Sequence, residues 1–335
     1  MPTQNRRRFL TGLTATGAAG MFGLPQSASA EPPPETMTVR LSKFAVPGCE
    51  VPQYIASELL RAEGFTDVRL VEGDTAVDSS IWLARGDVDF DWNYAAMHIG
   101  SMNAGVPLTV LAGLHSGCLE LITREGINSF IDLRGKKVGV YSLSSSPHIL
   151  LTLMASYIGL DPNTDIQWIT GDEMSPKDLF IEGKIDAFLA TPPEPQEIRA
   201  RKIGHTILDT AFDRPWSQYY CCMLAGNAEY VGKHPVATKR VLRAILKAID
   251  LCATDPKFAV ERLASDKIRG RYDLTLDVLR DARYDRWRDF DPEDTMRFYA
   301  LRLYEAGLSK MSPQQIIADG TDWRFLDEIK REMKT

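Results

Sequence analysis

Four hydroxyls crowd into five residues at Ser142, Ser144, Ser145 and Ser146, and His148 follows two positions later. Behind them runs an apolar pattern at positions 149, 150, 153, 154, 157, 158 and 160, which predicts a helix opening at the serines with Pro147 in its first turn. A helix start points unpaired backbone N–H groups, and the positive end of its dipole, at whatever lies ahead. Serine hydroxyls at that point suit an anion or a polar head group. Capping accounts for one or two of the serines. The surplus marks the loop as a ligand contact.

Such a loop needs a rigid frame. Arg134-Gly135 predicts a turn, and residues 137–141 a short strand that feeds the serines. Upstream, predicted strands at 38–44, 68–71, 88–91, 108–114 and 119–123 alternate with helices at 52–63, 77–85 and 95–103. Downstream, strands at 165–169, 185–189 and 206–208 alternate with helices at 176–182 and 194–201. This alternation predicts an α/β fold with mostly parallel sheets. Ala84-Arg85-Gly86-Asp87-Val88-Asp89-Phe90 echoes Ile181-Glu182-Gly183-Lys184-Ile185-Asp186-Ala187-Phe188, each reading as a helix end, a glycine cap, an acid and a buried strand. Two lobes on one plan are therefore expected. A strand after Trp216 should return the chain to the first lobe, followed by helices at 236–254, 256–265, 275–284 and 292–306. The expected division is residues 37–123 and 217–335 in lobe 1 and 124–216 in lobe 2, with crossings near 120–126 and 212–220 acting as a hinge.

In that frame the loops after the strands face one cleft. They carry Cys49 and Gln53, then Trp92, Asn93 and Tyr94, then His115, the serines with His148, Thr191 with Glu194, and finally Trp216 and Tyr219. Arg214 and Asp91 lie beside them. Aromatic faces, hydroxyls, one arginine and two acids suit a small organic molecule with an anionic or polar head and a flat or apolar body. A bare inorganic anion would leave the aromatics nothing to grip. Each aromatic alone fits core packing as well as ligand contact; four in predicted strand-end loops are what point to a site.

Asp132, Leu133, Gly135, Lys136, Val138, Gly139 and Val140 form a D-L-x-G-K-x-V-G-V strand ahead of a small-residue loop. This resembles the second lobe of periplasmic solute-binding proteins of the nitrate, sulfonate and taurine (NMT1/THI5-like) type, and the resemblance runs over residues 37–330. It implies a two-lobe type II periplasmic-binding-protein fold with a two-stranded hinge, capture of ligand on lobe closure, and delivery by a monomer to an ABC transporter permease and its ATPase. Organic sulfonates or related small organic anions rank first as ligand, pyrimidine-type thiamine precursors second and nitrate third. Cys49-Glu50-Val51-Pro52 also resembles the C-x-V-P loop of desulfinases on this fold, which implies a C–S hydrolase with Cys49 as nucleophile. That chemistry needs a thiol activated by a cation or a helix start, and the sequence assigns no partner histidine or arginine. Binding is therefore the expected role, rather than catalysis.

Asn5-Arg6-Arg7-Arg8-Phe9-Leu10, a mildly apolar run to Leu24 and a small-residue site at Ala28-Ser29-Ala30 predict a twin-arginine signal peptide over residues 1–30, a flexible lead-in at 31–36 and a periplasmic location. The formal charge of −6 becomes more negative once the three arginines of that segment leave. This argues against nucleic acid as a partner, because that binding depends on neutralising phosphates with Lys and Arg. No later apolar run reaches the length of a membrane span. Five cysteines remain, Cys49, Cys118, Cys221, Cys222 and Cys252, and their spacing matches no zinc pattern. The adjacent pair is expected in a strand, its thiols on opposite faces. No metal and no cofactor are predicted, Cys252 is expected in the core, and a Cys49–Cys118 bridge is left open.

Overall fold

The computed structural model describes residues 31–43, 49, 51–72, 79–171, 174–263 and 271–333. The predicted export segment, residues 44–48 and 50 of the loop after the first strand, and the predicted helix ends at 77–78 and 264–265 lie outside the described residues.

Strands β1 (Thr38–Lys43), β2 (Asp67–Glu72), β3 (Phe90–Tyr94) and β4 (Leu108–Ser116) alternate with helices α1 (Val51–Ala62), α2 (Ser80–Arg85) and α3 (Ala95–Asn103). Next come β5 (Glu120–Thr123), β6 (Lys137–Val140), α4 (Ser146–Tyr157), β7 (Gln167–Thr170), α5 (Pro176–Ile181), β8 (Ala187–Ala190), α6 (Glu194–Arg201) and β9 (His205–Asp209). β10 (Tyr220–Asn227) opens a helical run: α7 (Ala228–Lys233), α8 (Pro235–Thr254), α9 (Pro256–Arg262), α10 (Tyr272–Asp281), α11 (Pro292–Glu305), α12 (Pro313–Gly320) and α13 (Arg324–Glu332).

Two five-stranded sheets result, ordered β2-β1-β3-β10-β4 and β7-β6-β8-β5-β9. β1 is parallel to β2 and β3, and β6 to β7 and β8. β10 runs antiparallel to β3 and β4, and β5 to β8 and β9. Each sheet therefore has four strands in one direction and one inserted against them. The inserted strand is in each case the one that has just arrived from the other sheet. This is the α/β architecture expected, with the parallel majority intact.

The echo between the halves is structural. Asp89 accepts from the backbone N–H of Arg40 at 2.7 Å and returns its own N–H to the Arg40 carbonyl at 2.8 Å. Asp186 does the same with Lys137, at 2.8 Å both ways. Each acid thus ties the end of the third parallel strand's approach to the first strand of its sheet. Gly86 and Gly183 precede them in the left-handed region, at φ 72° and 78°, where a helix ends most cheaply on glycine.

α8 explains how the C-terminal run is held. Val241, Leu242, Ile245 and Ile249 recur at three- and four-residue spacing, are fully buried, and face α1. Burying each such side chain contributes about 1.5–3 kcal/mol. Leu242→Ala would cost about 2–5 kcal/mol, the transfer term plus a cavity.

The two crossings between the sheets touch. Gly117 sits at φ 62°, and a Cβ there would lie 2.1 Å from the Cα of Ala211. Glycine is required at that point for both conformation and space.

Candidate ligand cleft and thiol cluster

The C-terminal ends of β1, β3 and β4 and the start of β10 meet at one edge of the first sheet. Trp92, Asn93 and Tyr94, expected in a loop, belong to β3, because β10 extends the pairing to Cys222 opposite Tyr94. On its other side Cys222 stands opposite His115 of β4. Partners directly across an antiparallel pair share a face, so Tyr94, Cys222 and His115 form a row, with Trp92 two residues back on the same face. Trp92 stacks on the His115 ring with centroids 5.9 Å apart, and Tyr284 packs edge-on to it at 5.4 Å. Asn93 points the other way and donates to Ser79.

Two further thiols, Cys49 and Cys118, close on this row. Cys49, His115, Cys118 and Cys222 each offer one ligand atom, and these atoms all lie within 4.8 Å of one another. The Cys49 and Cys222 sulfurs are 3.7 Å apart, and Cys118 and Cys221 3.2 Å. All five cysteines are free thiols. The sequence pattern had excluded a metal-like grouping because Cys221 and Cys222 should face opposite ways. The grouping takes only Cys222 of that pair, with ligands from three other segments that the spacing does not link. The β10–β4 register shifts between Tyr220 and Cys222, leaving Cys221 without an opposite residue, and a bulge re-aims side chains locally. Cys118 therefore meets Cys221 at one side and Cys222 at the other, and no Cys49–Cys118 bridge forms.

Hydrogen bonding to Cys118, together with burial, raises the Cys49 thiol above its ordinary value. Burial pushes Cys118 up to about 11 and Cys222 well above its usual range. Burial opposes ionisation of Cys221 as well, but hydrogen bonds from Cys118 and Cys222 to its thiolate bring it down to about 6. The direction at Cys49 is upward, with Cys222 and the nearby His115 acting against it.

Further polar atoms are buried at the start of α1 and in Trp92 itself. Both amide atoms of Gln53 and the Trp92 indole N–H have no hydrogen-bond partner among the described residues. Leaving such a group unpaired costs about 1–3 kcal/mol.

On the second sheet the serine loop ends β6 and opens α4. Ser145 occupies the N-cap position with extended backbone, yet its hydroxyl bonds back to the Ser142 carbonyl at 2.7 Å and caps nothing. Ser144 is exposed and contacts the Ser142 hydroxyl, and Ser146 starts the helix. His148 packs edge-on to Trp168 at 4.6 Å. Thr191 donates its backbone N–H to Glu194 at 2.9 Å, and Tyr141 donates to the same carboxylate at 2.7 Å. Burial raises the Glu194 carboxyl above its usual value. Trp216 and Tyr219 sit on α11: Tyr219 stacks on Phe298 at 4.0 Å, and Trp216 is buried among Tyr157, Phe298 and Tyr299.

The profile of the family described as "NMT1/THI5 like" matches residues 56–259, well over half of the chain. The chain belongs to the NMT1/THI5 like family. A relative within reach of this NMT1/THI5 like protein is the yeast (Saccharomyces cerevisiae) 4-amino-5-hydroxymethyl-2-methylpyrimidine phosphate synthase THI12, 25% identical over 243 residues that cover 67% of this chain and 70% of the yeast protein. The fold is that of the periplasmic nitrate-binding protein NrtA from Synechocystis, with TM-score 0.73, 16% identity and 90% of each chain covered. The periplasmic aliphatic sulphonate binding protein SsuA from Escherichia coli aligns with TM-score 0.65 and 18% identity, covering 83% of this chain and 90% of its own.

Within the NMT1/THI5 like fold, the structure gathers Cys49, Trp92, Tyr94 and His115 at one sheet and Ser144, Ser145, Ser146, Thr191 and Glu194 at the ends of the other. Sequence reasoning left open a meeting of Cys49 with Cys118, which the structure brings within 4.8 Å, but missed Cys222 as their neighbour, and Tyr284, whose hydroxyl reaches the Cys49 carbonyl at 2.6 Å. No local signal marks Tyr284, since the contact spans 235 positions.

Proposed function

We propose that the chain is a periplasmic solute-binding protein, exported by the twin-arginine route, that takes a small organic anion between its lobes and delivers it to an ABC permease and its ATPase. The observation that carries this reading is the pair of buried donors without a partner among the described residues, the Gln53 amide at the start of α1 and the Trp92 indole N–H in β3. Their desolvation is offset once a solute supplies acceptors. The start of α4 with Ser144 and Ser146 supplies further neutral donors from the second lobe. Neutral donors suit a sulfonate-type head, whose charge is spread over three oxygens. The aliphatic binder SsuA and the nitrate binder NrtA support the fold-level part of this reading. The raised Cys49 thiol speaks against a desulfinase.

A pyrimidine is the second reading. Both the donor and the acceptor of the Gln53 amide lack partners, which matches an aminopyrimidine edge, and a relative is named as a pyrimidine phosphate synthase.

The test is a thermal-shift and calorimetric screen of residues 31–335 against alkyl and aryl sulfonates, carboxylates, nitrate and aminopyrimidines. A solute at about a hundred times its Kd stabilises the native state by about 2.7 kcal/mol. Binding of a sulfonate, weakened by Gln53→Ala and with the compound recovered unchanged, supports the main reading. Binding confined to pyrimidines selects the second, and turnover of any compound defeats both.

A further inference from the structure

We propose that Cys49, His115, Cys118 and Cys222 form a four-ligand site for a thiophilic d10 metal ion, Zn2+ or Cu+. Four ligand atoms from four separate segments lie within 4.8 Å of one another. They come from the loop after β1, the end of β4, the first crossing and the start of β10. A set of three sulfurs and one imidazole is the donor chemistry of tetrahedral zinc and of Cu+, and is unsuited to Mg2+ or Ca2+, which take oxygen.

Geometry supports the assignment twice. In a tetrahedral site with Zn–S bonds of about 2.3 Å, ligand sulfurs stand about 3.8 Å apart. The Cys49 and Cys222 sulfurs are 3.7 Å apart, further than a disulfide and closer than unrelated side chains need be. Second, His115 is fully buried, its Nδ1 is 3.1 Å from the Gly117 carbonyl, and its Nε2 has no partner among the described residues. A backbone carbonyl receiving Nδ1–H fixes the tautomer in which Nε2 keeps its lone pair, the arrangement found behind metal-bound imidazoles. Gly117 holds that carbonyl in place because its own conformation is set by the crossing.

Four protein ligands with the site buried describe a closed, structural centre rather than an open catalytic one. The ion would pin the loop after β1 to both segments that cross between the lobes, and would take Cys49 and His115 out of direct contact with the solute. On binding, the coordinating thiols release their protons to solvent and no electrons move, so uptake weakens as pH falls. The site is independent of which solute the cleft takes.

The test uses residues 31–335, reduced and freed of metal under anaerobic conditions, then titrated separately with Zn2+, Cu+ and Co2+. The expected result is one ion per chain and, with Co2+, the thiolate charge-transfer and tetrahedral d–d bands of a sulfur-rich site. Cys222→Ala and His115→Ala should weaken binding at least tenfold, while Cys252→Ala, in the core of α8, retains it. Should those variants fail to fold, alkylation of the wild-type chain gives the answer: the ion should protect Cys49, Cys118 and Cys222 together. Absence of stoichiometric uptake by the reduced chain, equal alkylation with and without the ion, or oxidation to Cys118–Cys221 and Cys49–Cys222 disulfides with no uptake after reduction would each overturn the proposal. Failure of the wild-type chain to take up metal while it still binds solute would overturn this site alone.

Discussion

Tyr284 donates its hydroxyl to the carbonyl oxygen of Cys49 at 2.6 Å, across 235 positions of chain. The bond anchors Cys49, between β1 and α1, to the helical segment that follows α10, and both partners are buried. It thereby fixes where the Cys49 thiol can lie relative to Cys222 and His115.

Tyr284→Phe removes that donor and keeps the ring that packs on His115. The stranded carbonyl should cost about 1–3 kcal/mol. Urea denaturation should show a lower midpoint with an unchanged slope. An unchanged midpoint would mean that solvent or another donor replaces the hydroxyl.

Glycines at the crossing and in an open turn should respond differently to alanine. At Gly117 a Cβ meets the Ala211 backbone at 2.1 Å in addition to the strain of a positive φ, whereas Gly105 has φ 86° and nothing within 4 Å. Gly105→Ala should cost about 1 kcal/mol from backbone conformation alone. Gly117→Ala should cost at least about 2 kcal/mol more, because the overlap is with backbone that cannot swing aside. Similar losses in thermal melts of the two variants would refute the clash.

Replacing Ser144, Ser145 and Ser146 together by alanine should weaken solute binding at least tenfold and move the melting temperature of the solute-free protein little. Ser145 makes a local turn bond to Ser142, Ser144 is exposed, and no cap bond is lost from α4. An equal fall in stability with and without solute would show the loop to be structural.

Asp209, at the end of β9 beside the second crossing, gives a pH signature. Burial, with help from the charges of Glu120 and Asp213, lifts its carboxyl to about 6. An unfolded aspartate titrates near about 3.9. The fold thus favours the protonated form, so this contribution to stability is complete below the unfolded value and is lost as pH rises through about 6. Asp209→Asn keeps an acceptor for the Ala211 N–H, now at 2.8 Å from Oδ1. The variant should melt higher than wild type at pH 7.5, and the gain should vanish by pH 4. A gain of equal size at both values would rule the titration out.

Much of the architecture was legible because it is written in short-range periodicity. The strand and helix alternation, the repeated phrase ending in Asp89 and Asp186, and the amphipathic spacing of α8 are local patterns, and the structure realises each. The serine loop was legible for the same reason. α12 and α13 were not assigned, although Ser312 with Gln315 forms a capping box ahead of Pro313, a readable helix start. β3 was cut short at Asp91 because its last residues are strand by virtue of β10, which pairs with them from some 130 positions away.

What the amino-acid order alone determined is therefore the kind of element at each place, and the plan of two like halves. The thiol cluster belongs to the tertiary structure. Cys49, His115, Cys118 and Cys222 are scattered over more than half the chain, and Cys222 meets His115 because β10 returns between β3 and β4, with a bulge at Cys221 beside it. That bulge sets the direction of two adjacent side chains, and a bulge is decided by the register of strands, which depends on the partner and not on the segment itself.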